Sequence, residues 1–86
     1  MLRHLPYRKF AVAEFGGSRI ERVFDRSLGA VAIRFSAWRG GKIVMRPLSI
    51  REDELAVLIG EAVAAGVFSA ALLGELQAII AARLSE

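Results

Sequence analysis

The segment Ala30 to Trp38 constrains the chain most, because it alternates strictly between two kinds of side chain. Val31, Ile33, Phe35 and Ala37 fall on one side of an extended strand, and Ala32, Arg34, Ser36 and Trp38 on the other. A period of two belongs to a strand with one covered face. Turn residues bound it on both sides, Ser27-Leu28-Gly29 before and Arg39-Gly40-Gly41 after. The chain therefore contains a β-sheet, and the other elements are read around this strand.

Upstream, Phe10 to Phe15 is a short apolar run closed by Gly16-Gly17, and Arg19 to Arg26 continues as a less regular strand. Downstream, Lys42 to Leu48 reads as the return strand, with Ile43 and Met45 in phase, closed by Pro47. Turn length sets the register. A two-residue loop at Gly40-Gly41 sets Arg46 opposite Phe35 and mixes the faces. A three-residue loop, Arg39-Gly40-Gly41, pairs Trp38 with Lys42, Phe35 with Met45, Ala37 with Ile43 and Arg34 with Arg46. The second keeps the faces apart and is the one expected.

The period then changes. Ser49 and Glu52 match a capping box, and Glu52, Asp53 and Glu54 place negative charge in a first helical turn. A helix is expected to about Ala65, with Leu55, Leu58, Ile59 and Ala62 at helical spacing and Gly66 as its stop. Ser69 caps a second helix to about Leu84, with Leu72, Leu73, Leu76, Ile79 and Ile80 as its stripe. The short linker predicts an antiparallel helical hairpin. The expected fold is α+β: an antiparallel sheet of about four strands, then a C-terminal helical hairpin, in a single domain of 86 residues. Residues 1–48 form its basic β half and residues 49–86 its acidic, apolar helical half.

Charge separates the halves. Residues 1–51 carry 11 basic and 3 acidic side chains, and residues 52–86 carry 1 basic and 6 acidic, a balance of +8 against −5. No acidic residue occurs between Arg26 and Arg51. The basic half is a candidate for a polyanion. On the face opposite the expected core stand Arg34, Trp38, Lys42 and Arg46, with Arg39 at the turn. Cations neutralise phosphates and an aromatic ring stacks on a base, the combination that holds single-stranded nucleic acid. Arg8 and Lys9, with Arg3, extend the basic track or form a solvated basic end. Arg19, Arg22 and Arg26 have Glu21 and Asp25 nearby in sequence as partners. The bland alternative is a solvated strand face.

Catalysis is not expected. Cysteine, threonine and asparagine are absent, and the one histidine, His4, has no partner in sequence. The acidic trio at residues 52–54 is accounted for by helix capping, and no cofactor or metal is expected. The longest uncharged run in the C-terminal half, Ala62 to Gly74, is 13 residues, too short for a membrane span of about 20. A cytoplasmic protein without a membrane association is expected. The bias toward Arg and Ala resembles a GC-rich bacterial genome.

The chain is 55% hydrophobic, more than one small core can cover. The first helix also carries Val57 and Val63 off its main stripe, and a helix apolar beyond one stripe is one buried on several sides. A two-fold homodimer through Leu55, Leu58, Ile59, Leu72, Leu76, Ile79 and Ile80 supplies that cover. The expected partners are single-stranded DNA or RNA and a second copy. The competing expectation is a protein-interaction module, a small regulator or adaptor gripping a protein partner through its helices. A third is a subunit of an enzyme whose catalytic chain is elsewhere.

Three stretches resemble the positive-cofactor-four-like family of single-stranded DNA-binding transcriptional coactivators. Arg8-Lys9-Phe10 to Glu14-Phe15-Gly16 is similar to its basic first strand, Val31-Ala32-Ile33-Arg34-Phe35 to its central strand, and Leu48-Ser49-Ile50 to Glu54-Leu55 and Leu58 to its entry into the helix. The resemblance covers roughly residues 8–65 and implies a curved antiparallel sheet that binds single strands, a helix that dimerises, and contacts to DNA from Arg34, Trp38, Lys42 and Arg46. The family's basic stretch before the helix is only partly matched by Gly40-Gly41-Lys42, residues 18–28 align poorly, and the helix from Ala70 to Leu84 is additional.

Overall fold

The computed structural model describes residues 7–86, with side chains from Phe10 onward. Arg3 and His4 lie outside the described residues. Seven elements follow in order: β1 (Tyr7–Phe15), β2 (Ser18–Asp25), β3 (Ala30–Arg39), β4 (Lys42–Ile43), β5 (Leu48–Arg51), α1 (Glu52–Ala64) and α2 (Ala70–Leu84). This is an α+β chain, an antiparallel sheet of five strands followed by two helices. It divides into two compact units, residues 1–56 and 57–86.

The sheet is built on β3. One side of β3 pairs along its length with β2, which pairs in turn with β1. Its other side is shared by β4 near Trp38 and β5 near Ala32 to Phe35. Gly16 and Gly17 form a two-residue loop with Phe15 opposite Ser18, and both have positive φ, 59° and 84°. That pair of left-handed residues matches the right-handed twist of the strands it joins. The Trp38 amide donates to the Gly17 carbonyl at 2.6 Å and carries the β2–β3 ladder past its end. Asp25 closes the β2–β3 turn by accepting from the Ser27 amide and hydroxyl and the Leu28 amide.

The β3–β4 register corrects the expected one. Trp38 pairs with Ile43 and Arg39 with Lys42, so the loop is the two residues Gly40-Gly41, both at positive φ. The mixing of faces is avoided differently. The Val44 amide still donates to the Ala37 carbonyl at 2.9 Å, residues 45–47 then leave the ladder, and β5 resumes with Phe35 opposite Leu48. Two extra residues restore the pleat and take Arg46 out of register with Phe35.

Ser49 also differs from expectation. It lies within β5 opposite Arg34, and the helix begins at Glu52, so Ser49 does not cap it. The end of α1 is as expected. The Val67 amide donates to the Ala62 carbonyl and the Gly66 amide to Val63, with Gly66 at φ 75°, the paired bonds of a Schellman stop. Ser69 caps α2, its Oγ accepting from the Leu72 amide at 3.1 Å. The helices do not pack along their length as the expected hairpin would, and neither buries a residue. Their apolar surface runs around the helix, so a single neighbouring helix leaves most of it open.

Candidate nucleic-acid interface

The two faces of β3 are reversed relative to expectation. Ala32, Arg34 and Ser36 are the buried residues, while Val31, Ile33, Phe35 and Ala37 are half-buried. The register gives the reason. Arg34 stands directly opposite Glu21 on β2, and Ala32 opposite Val23. Glu21 is 1% exposed and Arg34 9%. Side chains of opposite charge stand in register on this face, and both are buried. Arg34 is therefore not an open phosphate ligand.

Trp38 is half-buried and held on two sides. Its indole Nε1–H donates to Ser36 Oγ at 2.8 Å. The Arg19 guanidinium lies 3.9 Å from the ring centroid, a cation–π stack. Arg19 in turn donates through Nε to Glu14 Oε1 at 3.0 Å. One face of the only tryptophan is thus occupied, and base stacking is confined to the other. The role of Arg19 is missed when strands are read singly. It emerges when the registers are combined, because Gly16-Gly17 sets Glu14 opposite Arg19 and β3 sets Arg19 opposite Ser36.

Several other cations are neutralised. Arg22 makes a bidentate pair with Glu52, at 2.6 and 3.1 Å, and ties the start of α1 to β2. The hydrogen bond from Arg22 holds the Glu52 carboxyl below its ordinary value, and Glu52 raises Arg22. Arg51 pairs with Asp53 at 3.1 and 3.2 Å, and that hydrogen bond likewise lowers Asp53. Arg83 reaches Glu86 at 3.3 Å. Glu52 and Asp53 are thus engaged in ion pairs, and among the described residues no three His, Asp or Glu side chains gather as a metal site.

Four exposed cations remain without a carboxylate in ion-pair reach among the described residues: Arg26, Arg39, Lys42 and Arg46. Three of them follow the end of β3: Arg39 and Lys42 are cross-strand partners at the Gly40-Gly41 loop, and Arg46 lies in the excursion after β4. The structure thus brings Arg39 and Lys42 together, separates Arg34 from them by burial, and half-covers Trp38. Arg8 and Lys9 belong to β1 by their backbone pairing with Phe24 and Val23, but their side chains lie outside the described residues.

Of the seven expected interface residues, Leu55 is half-buried. Leu58, Ile59, Leu72, Leu76, Ile79 and Ile80 are between 39% and 58% exposed. No helix among the described residues is long and apolar enough to cross a membrane. Comparison of the chain with models of known families, with curated proteins and with solved structures finds no match.

Proposed function

We propose that the chain is a non-catalytic nucleic-acid-binding protein of the cytoplasm that holds single-stranded or locally melted DNA in transcription or DNA maintenance. The observation that carries this reading is the set of cations at the β3–β4 end. Arg39, Lys42 and Arg46 stay exposed and unneutralised while Arg19, Arg22 and Arg51 are matched by carboxylates. Unpaired guanidinium and ammonium groups on one hairpin end form a track for phosphates, whose neutralisation releases counterions. Trp38 contributes through the ring face that Arg19 leaves. Binding of this kind is sequence-tolerant, since phosphate neutralisation and ring stacking do not read base edges.

The test is a titration of a labelled single strand and a duplex of equal length at several salt concentrations. The triple variant Arg39→Ala, Lys42→Ala, Arg46→Ala lowers the salt slope for the single strand by about 2, at roughly 0.7 for each phosphate no longer neutralised. No binding by the native chain at low salt removes the proposal.

A second reading, the protein-interaction module, is favoured by the helices. Ten Val, Leu and Ile side chains between Val57 and Leu84 are 39% to 81% exposed. At 1.5–3 kcal/mol for burying each fully, that is about 8–16 kcal/mol of burial left unrealised. A second copy of the chain, docking through Leu58, Ile59, Leu72, Leu76, Ile79 and Ile80, satisfies this surface and is compatible with nucleic-acid binding. A different protein partner is the adaptor reading. Sedimentation separates them: a dimer supports the first, and a stable monomer the second.

A further inference from the structure

Next to the unneutralised cations lies a concavity of about 350 Å³, lined by Ser18, Ile20, Phe35, Met45, Arg46 and Leu48 among others. The register builds it. Ile20, Phe35 and Leu48 form one row across β2, β3 and β5, on the face opposite Arg34. Residues 45–47, which leave the ladder between β4 and β5, bring Met45 and Arg46 to the same concavity. Its size is at the lower end of the roughly 300–1,000 Å³ typical of ligand sites, suited to one ring system.

Its chemistry narrows the occupant. Ile20 is 51%, Leu48 58% and Met45 64% exposed, so apolar surface faces water there. A thioether and a phenyl ring are favourable neighbours for an aromatic plane. Arg46 supplies a cation without a carboxylate among the described residues. No acidic residue lies between Arg26 and Arg51 to oppose an anion. Apolar walls beside a free guanidinium fit a flat heteroaromatic ring joined to a phosphate.

We propose that this pocket seats one unstacked base of a bound single strand, with Arg46 on an adjoining phosphate. The proposal rests on the nucleic-acid reading above and adds a base site on the sheet face opposite the one that carries Trp38. There the strand meets Phe35, Met45 and Leu48, while Arg39 and Lys42 hold its backbone beyond.

The experiment compares a labelled oligothymidine with an abasic strand of equal length and charge, using the full chain. Stacking of a base favours the thymidine strand by about tenfold. Met45→Ala and, separately, Leu48→Ser, each checked for folding by circular dichroism, narrow that ratio and leave affinity for the abasic strand unchanged. Arg39→Ala with Lys42→Ala weakens both strands together and preserves the ratio. Equal binding of both strands by the native chain overturns the base pocket while leaving phosphate binding in place. Binding of neither strand overturns the nucleic-acid reading with it. A ratio that Met45→Ala and Leu48→Ser leave untouched overturns the assignment to this pocket. A shift in oligomeric state in both variants also overturns it and gives the pocket to a second copy.

Discussion

Residues on β3 act according to which partner their register supplies. Arg34 illustrates this, since alternation alone makes it an outward cation and the Glu21 opposite it makes it an interior one. Removing the guanidinium opens a cavity beside the buried Glu21 carboxylate and takes away a neighbouring positive charge, and disrupting a buried charge site of this kind costs about 3–5 kcal/mol. Arg34→Ala is therefore expected to lower the melting temperature by more than about 10 °C, at roughly 4–8 °C per kcal/mol in a domain this size. A thermal melt showing a loss of only a few degrees would mean that Arg34 is in effect solvated. Gly17 makes a second case. Its φ is 84°, and a Cβ there would meet the Trp38 carbonyl oxygen at 2.8 Å, a backbone atom that cannot swing aside. Gly16 has a similar φ but open space around it. Both alanine variants carry the left-handed penalty of about 1–2 kcal/mol. Gly17→Ala adds the clash, so its midpoint in urea falls below that of Gly16→Ala.

Elements were legible in proportion to how local their signals are. The strands around Gly16-Gly17, the α1 stop at Gly66 and the α2 cap at Ser69 depend on neighbours in sequence, and they stand where the sequence places them. Two features depend on distant residues and were misread. The β3–β4 loop has two residues because the ladder breaks after Val44, which a pairing pattern that assumes a continuous strand does not contain. Ser49 is in β5 because β3 has an open edge beside Ala32 to Phe35, and pairing with it outweighs the cap. The candidate interface followed the same division. Arg39 and Lys42 at the hairpin end were legible, whereas burial of Arg34 and the Arg19 stack required the full register. The junction between β5 and α1 carries a prediction of its own. Arg22 holds Glu52 below its ordinary 4.5, so its folded value lies under its unfolded one. The pair then stabilises the fold above the unfolded value, and the contribution is lost as pH falls through the folded one. Thermal melts of the native chain and Glu52→Gln should differ at neutral pH and converge on acidification below 4.5. A gap that persists in acid would assign the difference to packing.

At the scale of the whole molecule the imbalance is between a sheet that meets its own charges and helices that bury nothing. Helices of 13 and 15 residues are near the length at which an isolated helix is marginal in water. A second copy supplies the missing cover in the proposed assembly. Leu76→Asp, which places a carboxylate on the exposed stripe, is expected to shift sedimentation to the monomer and to reduce helical circular dichroism while strand pairing persists. Retention of a dimer by that variant would move the interface off α2. The open stripe also bears on how long a solitary copy survives. Residues 62–74 carry no charge, and proteases and chaperones act on exposed apolar segments of this kind. In the proposed assembly a paired copy would cover Leu72 within this segment and the stripe beyond it, while an unpaired one would display them, so surplus chains would carry the mark for their own removal.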